Sequence, residues 1–151
     1  MPARKIFWSF RNAGLGLWQV WRGERNMRLH VAAAFAVFYL TNLISLARWE
    51  RVAVAGAVFL VLILETLNTA IEAAVDLVTT AFHPLAAKAK NVAAGAVLLA
   101  TINALLLAYY IFWPHLGELG RALARQASAS PWGLGLAAFI LLFLLVAGWR
   151  L

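Results

Sequence analysis

The chain contains no cysteine, and only 6 of its 151 residues are acidic. The absence of cysteine excludes disulfides, thiol nucleophiles and thiolate metal sites. Charged residues of both signs make up 13% of the chain, whereas 64% of the residues are hydrophobic. The hydrophobic residues come in runs that no soluble domain of this size can cover. The composition therefore predicts an all-α integral membrane protein.

Two phosphate-binding motifs are absent as well. The chain has no GxxxxGK[ST] loop, and Gly14 and Gly16 do not complete a dinucleotide fingerprint. A bound phosphate would therefore have to be held by a metal ion and basic side chains. The formal charge of +7 comes from basic residues dispersed around the hydrophobic runs, which favours anionic lipid headgroups over nucleic acid as the partner.

The hydrophobic runs predict four membrane spans. Residues 29–46, 92–113 and 132–149 are each long enough to cross a bilayer core. The remaining span, second in chain order, begins at Val52, and its apolar part extends to Leu64. We expect its helix to end at His83–Pro84, because proline disfavours a helical conformation in the residue before it. Residues 114–131 are predicted to form a polar connection with one helical turn.

The N-terminal segment, residues 4–22, is predicted to form an amphipathic helix because its aromatic residues recur at three- and four-residue spacing. Such a helix lies on the membrane surface, packs against another part of the protein, or does both. Orientation follows from the basic residues: with the N-terminus in the cytoplasm, nine of them lie inside and four outside. This split agrees with the positive-inside tendency.

The stretch from Glu65 to Asp76 carries three of the acidic residues. On a helix Glu65, Glu72 and Asp76 fall within roughly 40° of one another, and Asn68 flanks them. Glu65 lies roughly 20 Å along the second span, about 10 Å short of the cytoplasmic boundary. A charge at that depth costs about 2.5–3.5 kcal/mol, so Glu65 is predicted to be functional.

Residues from two other junctions are expected at the depth of this acidic stripe. Glu24 precedes the first span, and Lys88 and Lys90 precede the third. Carboxylates suit magnesium, lysine and arginine suit phosphate, and an unsolvated glutamate suits a general base. Together these groups indicate a phosphoryl-transfer site for a hydroxyl carried on a lipid, with a nucleotide entering from the cytoplasm. Taken alone, the stripe equally fits a proton or cation path through a small transporter.

Two motifs resemble the prokaryotic diacylglycerol kinase family. They are the spaced pattern ExxNxAIExxxD, which begins at Glu65, and the run HPLAAKAKNVAAGAVL, which begins at His83. The runs ERNMRLH and DLVTTAFHPLA are more similar to Gram-positive members of the family, which act as undecaprenol kinases. The resemblance covers residues 7–113. It divides the chain into a kinase-like membrane domain over 1–113, a polar connection over 114–131 and an additional C-terminal span within 132–151.

The resemblance implies a homotrimer of three-span subunits in the bacterial inner membrane, with an N-terminal surface helix and active sites shared between neighbours. Magnesium and ATP would be used to phosphorylate a lipid alcohol. Carried over by position, Glu65 is the expected base and Asn68 orients the reacting groups, so both contact the lipid. Glu24 and Glu72 would hold the metal, and Lys90 would neutralise phosphate charge. The residues expected around the nucleotide and its phosphates are Glu24, Arg28, Glu72, Asp76, Lys90 and Asn91.

The sequence departs from the family pattern at two places. Where the family reads AKD, this chain reads AKN, and Asn91 offers no negative charge. We therefore expect an intact but electrostatically weakened site with a freer Lys90, while a non-catalytic relative of the family is the alternative. The second departure is the fourth span, which lies outside the resemblance. The expected lipid is undecaprenol, with diacylglycerol close behind.

Overall fold

The computed structural model describes residues 2–79, 81–129 and 135. Its elements are helices α1 (Pro2–Gly23), α2 (Arg25–Thr41), α3 (Arg48–Val78) and α4 (Pro84–Phe112), a 3-10 turn (Trp113–His115) and helix α5 (Leu116–Ala129). Within this described part of the chain no strand occurs, as the all-α prediction requires. The predicted fourth span, residues 132–149, lies outside the described residues except for Gly135.

Two helical stretches among the described residues are long and apolar enough to cross a membrane. They are α3 and the continuous stretch Pro84–Gln126, of which α4 is the apolar part. These two stretches correspond to the second and third predicted spans. Helix α2 has 17 residues and ends at Thr41. It ends before residue 46 because a bend over residues 42–44 leads into the connection to α3.

Helices begin earlier than the hydrophobic runs alone predict. Helix α3 begins at Arg48 rather than Val52, and the Glu50 carboxylate accepts a 2.7 Å hydrogen bond from the Ala47 backbone N–H. Helix α4 begins at Pro84, eight residues before the apolar run over 92–113. Proline suits a first helical turn because its fixed φ fits a helix and its missing N–H would have no partner there. The charged residues that come just before the two apolar runs therefore belong to the helices.

Helices α3 and α4 form the most extensive pair in the described chain, with α2 against α3. A short connection reverses the chain between them, so the two helices are antiparallel. Helix α3 ends at Val78, five residues before the predicted end at His83, because Thr79 adopts an extended conformation (φ −151°, ψ 130°). Helix α1 contacts α2 and α3, and its large apolar residues Phe7, Phe10 and Leu17 are exposed.

The segment after α4 is more ordered than the prediction of a polar connection with one helical turn. Helix α5 has 14 residues. Leu119 on α5 packs against a buried cluster formed by Ile44, Leu46, Val54 and Ile111. The prediction was wrong because it weighted the prolines, glycines and serines of this segment over the apolar spacing that lets one face of α5 pack on the bundle.

Candidate functional site

Glu65 lies in the middle of α3 with 2% of its surface exposed. The buried residues of α3 are Val54, Ala57, Val61, Glu65 and Asn68. Their spacing of three and four residues places them along one line of the helix. Because the rest of that line is the face that α3 buries against the other helices, Glu65 points into the bundle. Glu65 is therefore a buried carboxylate on the packed face of α3.

The carboxylates of Glu24 and Glu72 are close enough to act electrostatically on Glu65. Glu72 is two turns further along α3, and Glu24 comes from the junction between α1 and α2. The structure thus brings together three acids that are separated by up to 48 positions in the sequence. A bound cation or proton would relieve the repulsion between these like charges.

Asn68 lies between Glu65 and Glu72 in the sequence and is bonded to Glu72. Its side-chain amide donates a 2.8 Å hydrogen bond to Oε1 of Glu72. Its other polar atom, Oδ1, is buried and has no partner in the described part of the chain. A buried acceptor without a donor is costly, so the site offers a place for a group that carries an O–H or N–H.

Glu24 and Arg28 lie at the start of α2. Glu24 is the N-cap of this helix, in extended conformation, but its side chain makes no capping hydrogen bond. Its carboxylate is therefore not used in holding the helix end. Arg28 donates from Nη1 to the Arg22 carbonyl at 2.9 Å, while its Nε is buried without a partner among the described residues. An unpaired guanidinium donor suits a phosphate oxygen.

A second charged group lies one turn beyond Glu72. The Lys90 ammonium of α4 donates to Oδ1 of Asp76 at 2.6 Å. Lys90 therefore has an acidic partner in Asp76, although Asn91 offers it no negative charge. Asn91 itself is exposed and makes no hydrogen bond within the described residues. Both charged partners are partly exposed, with 34% of the Lys90 side chain and 60% of the Asp76 side chain accessible.

The site can offer a metal ion only a few protein ligands. Among the described residues no group of three or more histidine, aspartate or glutamate side chains is arranged to hold a metal ion. Magnesium in phosphoryl-transfer enzymes uses one or two carboxylates and completes its shell with phosphate and water. Glu24 and Glu72 could supply those two carboxylates, since neither is consumed by an ion pair in the described chain.

The sequence did not predict an apolar cavity of about 560 Å³ at the α3–α4 connection. Its lining includes Ile71, Val75 and Val78 of α3 and Leu85 and Ala89 of α4. These α3 residues lie on the side of the helix away from Glu65. An apolar run around the connection is visible in the sequence, but only the packing of the two helix ends reveals a cavity.

The comparison with known proteins identifies the family. The family model of the prokaryotic diacylglycerol kinases matches residues 11–112. The chain belongs to this family. All the predicted site residues lie inside the matched region, whereas α5 lies beyond it. The resemblance stated from the motifs is thereby confirmed, and with it the assignment to a family of membrane proteins.

Relatives of known name share much of the chain. It is 42% identical over 112 residues to the undecaprenol kinase of Bacillus subtilis, covering 74% of this chain and 91% of the relative. It is 40% identical over 127 residues to a diacylglycerol kinase of Synechocystis, and the alignment covers 78% of this chain and 73% of the relative. It is 33% identical over 102 residues to the diacylglycerol kinase of Escherichia coli K12, and the alignment covers 68% of this chain and 84% of the relative. These relatives are all named kinases, but their names divide between two lipids.

Proposed function

We propose that the chain is an ATP-dependent kinase that transfers the γ-phosphoryl group to the hydroxyl of undecaprenol, with diacylglycerol as the close alternative substrate. Membership of the family and the kinase names of the relatives support a lipid kinase. The observation that carries the proposal is the buried Glu65, which faces the bundle interior with Glu24 and Glu72 nearby.

Glu65 is proposed as the general base. It would take the proton of the lipid hydroxyl as the hydroxyl oxygen attacks the γ-phosphorus and ADP leaves. Its position inside an apolar helix suits a substrate whose hydroxyl arrives from the bilayer. Asn68 would orient the reacting groups: its amide holds Glu72, and its unpaired Oδ1 can accept a hydrogen bond from the incoming hydroxyl before the proton passes to Glu65.

Glu24 and Glu72 are proposed to hold magnesium together with the nucleotide phosphates. Both carboxylates are available for a ligand, and their proximity to Glu65 concentrates negative charge that a divalent cation would offset. Bound magnesium would neutralise charge that develops on the transferring phosphoryl group. Arg28, with its unpaired Nε, and Lys90 would contact the phosphates. Asp76 would position Lys90, and Asn91 would lie at the edge of the nucleotide site.

The proposed assembly is a homotrimer with shared active sites, an N-terminal surface helix and the N-terminus in the cytoplasm of a bacterial cell. Most of the apolar surface of α3 and α4 is exposed in the single chain. Lipid and neighbouring subunits together would cover it. The first span is proposed to include α2 and the bend that follows it, since the helix alone is short for a crossing.

Glu65→Gln tests the proposal directly. Glutamine keeps the size of the side chain but cannot serve as a base at neutral pH. We expect ATP-dependent labelling of lipid to fall about 10²-fold or more. The matched control is Thr66→Val, because the Thr66 hydroxyl bonds only to the Leu62 carbonyl of its own helix. A non-catalytic relative or a transporter would show no labelling in the unchanged chain.

The lipid is tested by offering purified protein undecaprenol and diacylglycerol side by side with ATP and magnesium. We expect a higher kcat/KM for undecaprenol. A preference for diacylglycerol would overturn the substrate assignment and leave the kinase proposal in place, because Glu65→Gln would still abolish labelling.

A further inference from the structure

Helix α5 lies beyond the region that the family model matches, and it contacts the other helices through a few specific side chains. The backbone N–H and the hydroxyl of Ser45 both donate to Oε1 of Glu118, at 2.9 and 2.8 Å. The Tyr39 hydroxyl donates to Oε1 of Gln126 at 2.8 Å. Together with Leu119 in the buried cluster, these contacts hold both ends of α5 against α2 and its connection to α3. The orientation of its opposite face is therefore fixed.

The exposed side of α5 carries Arg121 and Arg125. They are one turn apart, and both are exposed. At 100° per residue Arg121 lies roughly 160° from Leu119, whereas Arg125 lies roughly 120° from Leu119 and about 20° from Glu118, at the edge of the docked face. Neither arginine forms an ion pair in the described chain, and the one acid of α5, Glu118, already binds Ser45 and faces His115. Nε of Arg125 donates to the Arg121 carbonyl at 3.3 Å, so the terminal guanidinium nitrogens are the atoms available to an external anion.

The position of α5 along the bundle matches a membrane surface. Lys90 and Trp113 are 23 residues apart on one continuous helical stretch. At 1.5 Å per residue this separation is about 35 Å, close to the thickness of a bilayer core. Trp113 is 62% exposed, and the Tyr109 ring lies 5.4 Å from it. Exposed tryptophan and tyrosine at a helix end are typical of the lipid interface.

We propose that α5 binds the anionic headgroups of the leaflet opposite the candidate kinase site, with Arg121 and Arg125 on the lipid phosphates and Trp113 at the interface. Guanidinium pairs with phosphate through two parallel hydrogen bonds, and basic residues on a surface helix select anionic over zwitterionic lipid. The occupant is a lipid headgroup rather than free phosphate, because the exposed aromatic residues Tyr109 and Trp113, which suit the bilayer interface, directly precede α5 in the chain. This inference does not depend on the chemistry at Glu65.

The absence of cysteine permits a site-specific test in the full chain. Ser128→Cys, at an exposed position of α5, provides one thiol for a fluorophore. The labelled protein is reconstituted in phosphatidylcholine vesicles that contain a small fraction of headgroup-nitroxide lipid, either phosphatidylglycerol or phosphatidylcholine. We expect at least twofold stronger quenching by the anionic lipid. Arg121→Gln/Arg125→Gln in the same background should make the two lipids quench equally.

The matched control is Arg11→Gln/Arg22→Gln, which removes two arginines from α1 and should leave the preference at the α5 label unchanged. Equal quenching by the two lipids in the otherwise unchanged chain would overturn the proposal. A preference for the anionic lipid that survives Arg121→Gln/Arg125→Gln would also overturn it. A preference that millimolar inorganic phosphate abolishes would overturn it too, because it would indicate a general anion site. The proposal is supported if the preference for the anionic lipid is lost in Arg121→Gln/Arg125→Gln and kept in Arg11→Gln/Arg22→Gln.

Discussion

Asn68 and Glu72 are joined by a 2.8 Å hydrogen bond one helical turn apart on α3. The bond occupies Oε1 of Glu72 and leaves its second carboxylate oxygen for a ligand. It also fixes the amide so that the unpaired Oδ1 of Asn68 stays in the buried line with Glu65. One asparagine thus connects the proposed metal ligand to the proposed base.

Asn68→Leu tests this connection. Leucine has a similar volume but can neither donate to Glu72 nor accept from a substrate. Hydrogen bonds to charged groups contribute about 1.5–3 kcal/mol, so we expect kcat/KM for the lipid to fall roughly ten- to hundredfold. Steady-state lipid phosphorylation measures the effect, with the magnesium dependence recorded in parallel. An unchanged rate would show that Asn68 only fills space, and Thr66→Val again provides the control on the same helix.

Replacing Lys90 of the Asp76–Lys90 pair distinguishes its effect on protein stability from its effect on nucleotide binding. Because both side chains are partly exposed, the pair is expected to contribute less than about 1 kcal/mol to stability. Lys90→Ala should therefore change the apparent Tm little. It should raise KM for ATP about tenfold, since one charge-assisted contact with phosphate is lost.

Lys88→Ala is the control for this prediction. Lys88 is exposed, lies two residues earlier on α4 and forms no ion pair in the described chain. Kinetics over a range of ATP concentrations compare the two variants. If both raise KM equally, a general basic surface rather than a specific contact at Lys90 accounts for the effect.

Much of the site was predictable because helical periodicity is a strong signal. Glu65, Asn68 and Glu72 share one side of any helix that contains them, and their depth follows from the apolar run before them. The roles expected for them come from the family motif alone and stay predictions. Periodicity says nothing about contacts between helices, so the 2.6 Å pairing of Lys90 with Asp76 could not be predicted. That pairing depends on how α3 and α4 meet across a short connection.

Helix α5, in contrast to the site, was not predicted from the sequence. The prolines, glycines and serines of its segment suggested a polar connection, and its docking partners Ser45 and Tyr39 are 73 and 87 positions away in the sequence. The signal available was the spacing of three leucines over two helical turns, at positions 116, 119 and 123, and it is short. Glu50 gave a clearer signal that was overlooked, since a glutamate at the third helical position often accepts from the N-cap backbone N–H.

Asn91→Asp tests whether this departure from the family weakens the site. Asn91 is exposed and makes no hydrogen bond in the described chain, so the change should leave the apparent Tm unaltered. It adds a negative charge next to Lys90, where the family carries one. We expect faster lipid phosphorylation, measured as kcat at saturating ATP and magnesium. An unchanged or lower rate would contradict the hypothesis of a weakened site and would show that Asp76 alone satisfies Lys90.

The contact between Ser45 and Glu118 predicts a structural role for α5 that is separate from catalysis. Glu118→Gln replaces a charged acceptor by a neutral one, so both hydrogen bonds from Ser45 weaken and α5 is held less tightly. We expect a lower apparent Tm in thermal denaturation. Lipid phosphorylation should stay within about twofold of the unchanged chain at temperatures where both remain folded, because an interaction outside the site changes no transition-state contact.

Arg121→Gln is the control on the exposed face of α5 and should not lower the Tm in zwitterionic detergent. Equal Tm values for Glu118→Gln and the unchanged chain would mean that Leu119 and Gln126 dock the helix by themselves, whereas a large loss of phosphorylation would place α5 within the machinery of the kinase.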